Sequence, residues 1–301
     1  MSKRRIDTST SRTAEWTCLS RAISSLEKDP YYRSDDHIAV KLLPSFLGLI
    51  IRIPFVGRAF LWLFTAKGIY EYVIARTKYI DTVCKECLLS GTTQIVIFGS
   101  GFDTRALRFQ QETRQARIFE LDSPVTQEAK IGQYQNRGLD IPSNLIFVPI
   151  DFDRESISQR LDQTGFRGDE KTLFILEGIL MYLQPESVDQ TFQILRELSS
   201  QGSELVFDYI YASVLRQENV HYAEKGTAKL MARVGEQWHF GIEEGEILNF
   251  IEQYGFDLLD HRTAGDLEEM YFKDQDNHFV GRINGTHCLA RAKIGTNQAP
   301  F

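Results

Sequence analysis

Apolar positions along the chain follow two rhythms, and the change between them falls near residue 90. Up to that point the spacing is helical: Ser11 or Thr13 is placed to cap a first helix, Asp29-Pro30 breaks it, and Gly68 to Leu89 keeps a helical pattern. From Thr93 onward, short β-branched and aromatic runs alternate with helical stretches. Gln94–Phe98 (QIVIF) closes at once on Gly99-Ser100-Gly101, and a helical pattern through Ala106, Leu107 and Phe109 follows. The same alternation predicts strands at Arg117–Leu121, Leu145–Pro149, Leu173–Leu176 and Ser203–Phe207, with helices at Val125–Tyr134, Glu155–Leu161 and Pro185–Ser199. The stretch Tyr209–Phe240 loses this rhythm and reads as a helical insertion over the sheet edge. A helix at Glu243–Tyr254 and strands near Phe256–Arg262 and Thr286–Ala292 complete the pattern.

Repeated βα units whose strands are apolar on both faces predict an α/β fold, with a doubly wound, mostly parallel, seven-stranded, Rossmann-like sheet and right-handed crossovers. No internal repeat and no Pro/Gly/Ser-rich linker divides the chain. The expectation is therefore one domain with four parts: a helical cap at 1–90, a βα core at 91–208, a lid insertion at 209–240 and a C-terminal completion of the sheet at 241–301.

Composition narrows the partners. Thirty-four basic against 41 acidic residues give a net charge of −7 over 301 residues, which leaves no global basic field for nucleic acid. Four cysteines and no cationic-then-apolar leader at Met1 point to a reducing, cytoplasmic setting. Cys84-x-x-Cys87 lies in a helical segment without a second pair or a histidine at zinc spacing, so the two read as buried small hydrophobes and no metal site is expected. The most apolar stretch, Leu42 to Phe64, is interrupted by Pro44, Arg52, Pro54 and Arg58 and does not span a bilayer. It reads as buried helices, as the wall of an apolar substrate channel, or as a face that rests peripherally on a membrane.

In an open α/β sheet the ligand lies beyond the carboxyl ends of the strands, where Gly99 and Gly101 fall. Glycines suit that turn because a bound group approaches the backbone too closely for a Cβ. Asp122, twenty-one residues beyond Gly101, ends the second strand and suits the two hydroxyls of a ribose. Glu120 and Asp122 could instead cap the next helix. The third strand leads to Asp151-Phe152, beside the place of an adenine, and the fourth to Glu177. A dinucleotide would want a third glycine where Thr104 stands, and Asp103 adds negative charge where a diphosphate would sit. Adenosine bearing a cationic sulfonium tolerates these acids, and Arg76 is the natural cation for its amino-acid carboxylate.

The segments RTKYID at 76–81, VIFGSGFDTRALRF at 96–109, FELDSP at 119–124 and LEGILMYLQPESV at 176–188 resemble the leucine carboxyl methyltransferase family over roughly residues 10 to 295. That family comprises the enzyme that methylates the C-terminal leucine of a protein phosphatase catalytic subunit and many bacterial O-methyltransferases that use S-adenosyl-L-methionine. The resemblance implies a class I methyltransferase fold. In it Arg76 would bind the methionine carboxylate, Gly99, Ser100, Gly101 and Asp103 would lie along the cofactor, and Asp122 would hold the ribose. Asp151 and Phe152 would flank the adenine, Glu177 the methionine amino group, and Arg21 would supply a second basic residue. GEQWHFGI at 235–242 matches the segment near the family's lid.

The apolar 42–64 stretch departs from what docking onto a phosphatase calls for, and favours a small or medium lipophilic acceptor of secondary-metabolite type, carrying a carboxylate or a hydroxyl. A protein C-terminal carboxylate and, more distantly, a nucleotide-dependent oxidoreductase are the alternatives; the oligomeric state is left as monomer or homodimer. A carboxylate needs no base, whereas a hydroxyl must lose a proton during attack. The candidates for that role are His239 first, then Tyr209, His221 and Tyr222, with Trp238 and Phe240 as pocket walls.

Overall fold

The computed structural model describes residues 12–53, 56–152, 154–227, 229 and 237–295. Among the described residues five helices precede the sheet: α1 (Arg12–Ser25), α2 (Ala39–Leu42), α3 (Ser45–Ile50), α4 (Val56–Phe64) and α5 (Ile69–Leu89). Helix α1 is already helical at Arg12, so Thr13 sits inside its first turn, and Ser11 lies outside the described residues. Gly68 caps α5 at φ +77°, where a Cβ would strike the backbone of Asn284 at 2.3 Å. Only glycine fits there.

The sheet then forms from β1 (Gln94–Phe98), β2 (Arg117–Asp122), β3 (Leu145–Pro149), β4 (Thr172–Leu176), β5 (Glu204–Ile210), β6 (Phe256–Arg262) and β7 (His287–Ile294), in the order β3-β2-β1-β4-β5-β7-β6. Strands β1 to β5 pair in parallel, and β7 enters antiparallel between β5 and β6. The connecting helices are α6 (Arg105–Arg108), α7 (Pro124–Asn136), α8 (Ile157–Asp162), α9 (Pro185–Leu198), α10 (Ala212–Leu215), α11 (Ile247–Glu252) and α12 (Ala264–Tyr271).

Strand alternation builds a core on each face of the sheet. Ile95 and Ile97 of β1 and Leu173 and Ile175 of β4 pack with α1 and α5, while Val96, Phe98, Phe174 and Leu176 pack with α8, α9 and α11. Because β1 and β4 are buried at every position, the polar chemistry of this layer is confined to strand ends and the turns beyond them.

Three expectations shift. The strand expected to stop at Phe207 continues to Ile210, so Tyr209 belongs to β5 and not to the insertion. The helix expected over Glu243–Tyr254 is confined to α11, since Gly245 at φ +87° turns the chain out of a helical path. Helix α12 was not foreseen, although its Thr263/Asp266 capping box was visible in the sequence.

Candidate active site

The order of strands reverses between β1 and β4, and each strand is followed within two residues by a glycine held in the left-handed region: Gly99 at φ +56° and Gly178 at φ +68°. Gly101, at φ +50°, follows one residue after Ser100, and a Cβ on it would meet Ala14 of α1 at 3.1 Å. The crevice is thus walled by backbone on one side and by α1 on the other.

Asp122, at the end of β2, holds the turn directly. Its Oδ2 accepts from the Gly101 N–H at 2.6 Å and its Oδ1 from the Ser123 N–H at 2.7 Å. A carboxylate has about four acceptor positions, so two remain for a diol. Burial raises the Asp122 carboxyl, and the two backbone donors work against that rise. Capping of α7 falls to Ser123, whose hydroxyl accepts from Thr126, with Pro124 behind it. Glu120 is no part of the crevice: it is sealed in the core against Lys130 at 2.6 Å, and burial pushes its carboxyl up to about 7.

Beneath the turn lies a buried network of arginines and acids. Tyr72 and Arg76, one turn apart on α5, both donate to Asp208 Oδ2, at 2.8 and 2.7 Å, while Asp208 Oδ1 accepts from the Gly178 N–H at 2.5 Å. Arg76 Nε also faces Glu177 Oε1 at 3.1 Å. The other Glu177 oxygen lies 2.9 Å from Arg105 Nη1, which also pairs with Asp103. Burial works to raise the Glu177 carboxyl, but Arg105, Arg76 and Arg21 together hold it below its ordinary value. Asp103 is likewise disfavoured by burial, yet Arg105 and then Lys130 and Arg21 draw it down to about 2. This corrects the expectation for Asp103: it is 5% exposed and paired, and does not confront a ligand with an open charge. Arg21 is ion-paired to Asp36 at 2.9 Å and donates to the Phe102 carbonyl at 2.7 Å, which ties α1 to the residue after the glycine turn.

Asp151 and Phe152 follow β3, the strand paired with β2. Asp151 is half-buried with Arg154 at 3.6 Å, and the Phe152 ring stacks at 6.5 Å on Phe98, the last residue of β1. Arg76, Gly99, Ser100, Gly101, Asp122 and Glu177 are therefore brought to one rim, with Asp151 and Phe152 continuing it beyond β3.

The proposed proton acceptors divide. His239 is half-buried, and its backbone N–H donates at 2.7 Å to the carbonyl of Met181, in the turn Leu180–Tyr182 just beyond Glu177; its imidazole has no partner among the described residues. Tyr209 is not brought to the rim. It points to the opposite face from Asp208, is 1% exposed, and its hydroxyl bonds to His261 Nε2 at 2.9 Å. Alternation along β5 is the reason. His221 stacks on Tyr211 and bonds to Ser213, and Tyr222 lies under Arg282, so neither joins the network. Gly235 and Glu236 of the GEQWHFGI segment lie outside the described residues.

The structure adds His287, at the start of β7 opposite Ile210. Its ring lies 4.4 Å from Tyr72 and 5.5 Å edge-on from Trp238, and burial pulls its imidazole down to about 4. Sequence reading passed over it because β7 comes almost two hundred residues after β1 and only the antiparallel insertion returns it to this edge. Asp208 was missed for a related reason: the strand's extension past Phe207 carries it into the buried network beneath the turn.

Several buried donors here have no acceptor among the described residues: Arg21 Nε, Ser100 Oγ, Arg105 Nη2 and Trp238 Nε1. Unpaired buried polar groups are costly, and their concentration around a glycine turn suits a polar ligand rich in oxygen and nitrogen. Fold and site together define a class I methyltransferase that uses S-adenosyl-L-methionine. The chain belongs to the leucine carboxyl methyltransferase family, whose model matches residues 14–196. It is 28% identical over 205 residues to YktD of Bacillus subtilis strain 168, a protein bearing the name of an S-adenosyl-L-methionine-dependent methyltransferase, with 68% of this chain and 67% of YktD covered. A protein of the same description from Mycobacterium marinum is 34% identical over 145 residues, where the match spans 48% of this chain and 47% of the relative. In three dimensions the chain resembles a methyltransferase-like protein of Thermobifida fusca YX, with a TM-score of 0.62 at 18% identity and 97% of each chain covered. That likeness concerns the fold. No helix among the described residues is long and apolar enough to cross a membrane.

Proposed function

We propose that the protein transfers a methyl group from S-adenosyl-L-methionine to a carboxylate or hydroxyl oxygen of a small or medium lipophilic acceptor. When bound, that cofactor supplies a methyl group already activated on a sulfonium, so the protein's main task is alignment. Gly99 and Gly101 let a nucleoside approach the backbone, and Asp122 has acceptor positions left for its ribose. Asp151 and Phe152 flank the adenine position, Arg76 keeps Nη2 without a partner among the described residues for the amino-acid carboxylate, and Glu177 faces the amino group.

The acceptor side rests on one observation. Trp238 carries a buried indole N–H with no acceptor among the described residues, beside the neutral imidazole of His287 and next in sequence to His239. An acceptor oxygen would satisfy that donor and be held against the transfer axis. A carboxylate attacks as it stands, while a hydroxyl would give its proton to the imidazole of half-buried His239, whose backbone N–H is fixed to the Met181 carbonyl.

The test incubates the protein with cofactor labelled in the methyl group and with medium-chain acids, phenols and a peptide ending in leucine. Label in a base-labile ester or a base-stable ether of a small acceptor supports the assignment. Label confined to the peptide would move the reading to protein carboxyl methylation, and label on nitrogen would overturn oxygen as the acceptor.

A further inference from the structure

Helices α3 and α4 carry apolar side chains that the fold leaves in solvent. Phe46 is 63%, Leu49 71% and Leu63 67% exposed, and Ile53, Val56 and Phe60 add to the same consecutive stretch. On α4 the inner positions Gly57 and Leu61 are buried, Gly57 so close to Ile23 of α1 that a Cβ would meet it at 3.0 Å. Val56 and Leu63 share a face that the fold leaves exposed, and Phe60 beside them is stacked on the Trp16 ring of α1 at 5.8 Å. Apolar side chains left uncovered in this number along one stretch are unusual for a surface in water.

Charge decides what covers it. In a chain with 41 acids and a net charge of −7, no Asp or Glu occurs between Asp36 and Glu71, whereas Lys41, Arg52, Arg58 and Lys67 do. Arg58 is held by Glu27 and lies over the Tyr32 ring. Lys41, Arg52 and Lys67 are exposed and without a partner among the described residues. An apolar surface whose own segment carries exposed cations and no acid complements an anionic bilayer, where the apolar residues enter the acyl boundary and the cations meet headgroups. We propose that α3 and α4 form a peripheral docking surface for anionic membranes. The surface packs on α1, and α1 packs on Gly101, so docking would set the crevice one helix away from a reservoir of lipophilic molecules. The proposal stands without the acceptor assignment, because it is read by vesicle binding and not by methyl transfer.

The experiment is flotation of the full chain with phosphatidylcholine vesicles, with and without phosphatidylglycerol, at low and high salt. Binding is expected to anionic vesicles and to weaken with salt. The triple substitution Phe46→Ser, Leu49→Ser, Leu63→Ser should lower partitioning at least about tenfold. Lys41→Gln, Arg52→Gln and Lys67→Gln should each lower it by up to about fivefold and together erase the preference for phosphatidylglycerol. Unchanged affinity for S-adenosyl-L-methionine in each variant shows that the fold is kept. Absence of flotation at low salt, or flotation unaffected by the apolar triple, would overturn the proposal. So would self-association in solution that the apolar triple abolishes, since a second copy would then cover the face.

Discussion

Arg76 and Asp208 meet through a 2.7 Å ion pair that joins the middle of α5 to the end of β5. The carboxylate is fully buried and also takes the Tyr72 hydroxyl and the Gly178 N–H, so it fixes the helix, the strand and the turn after β4 at once. Breaking a buried pair from one side leaves an uncompensated charge. Asp208→Ala is expected to cost about 3–5 kcal/mol in urea unfolding, and Asp208→Asn distinctly less because two of its donors keep an acceptor. A loss below about 1 kcal/mol for the alanine variant would show that the network carries little stability.

Asp122 combines two jobs, pinning the Gly101 turn and offering its remaining acceptor positions to a ribose. Asp122→Ala should weaken S-adenosyl-L-methionine binding by about 10², measured by calorimetry, with the thermal midpoint lowered only slightly. Wild-type affinity in that variant would remove the ribose assignment.

His287 gives the stability a pH dependence with a definite sign. Its folded pKa, about 4, lies below the ordinary histidine value because burial disfavours the imidazolium; Arg76 adds to this and Asp208 opposes it. Trp238 and Tyr72 face it without charge at neutral pH. Between about pH 6.5 and 4 the unfolded chain therefore binds the extra proton, and this contribution is present above that window and lost as pH falls through it. His287→Gln should flatten the acid limb of the stability curve by up to about 3 kcal/mol, as read from urea midpoints at pH 7 and pH 4.5. Parallel limbs in wild type and variant would contradict the assignment.

His239 separates the two acceptor chemistries. His239→Ala should slow methylation of a hydroxyl acceptor by about 10² while leaving a carboxylate acceptor nearly unaffected. Equal turnover of a hydroxyl acceptor in both proteins would exclude it as the base.

Much of this architecture could be read from the chain because β1 to β4 are short, mostly apolar and end in, or are followed within two residues by, a glycine or an acid. Gly99, Gly101, Asp122, Asp151 and Glu177 sit at or just beyond strand ends, where polar groups can face a crevice, whereas Glu120 within β2 takes buried Lys130 as its partner. What stayed hidden depends on pairing between distant segments. Asp103 looked like an open charge until Arg105, two residues on, was seen folded back against it. Tyr209 looked like a rim residue because the strand seemed to stop at Phe207, and one step of alternation turns it into the core while setting buried Asp208 against Arg76 on the other face. His287 has no local signal, and only the antiparallel insertion of β7 brings it beside Tyr72.

The central claim is that the crevice above Gly99 and Gly101 receives S-adenosyl-L-methionine. Titration calorimetry of wild type and of Asp122→Ala, with that cofactor and separately with NADH, tests it most directly. Saturable binding of S-adenosyl-L-methionine to the wild type, lost in the variant, with no heat from NADH, is the expected result. Binding of NADH, or of S-adenosyl-L-methionine with equal strength to both proteins, would contradict it.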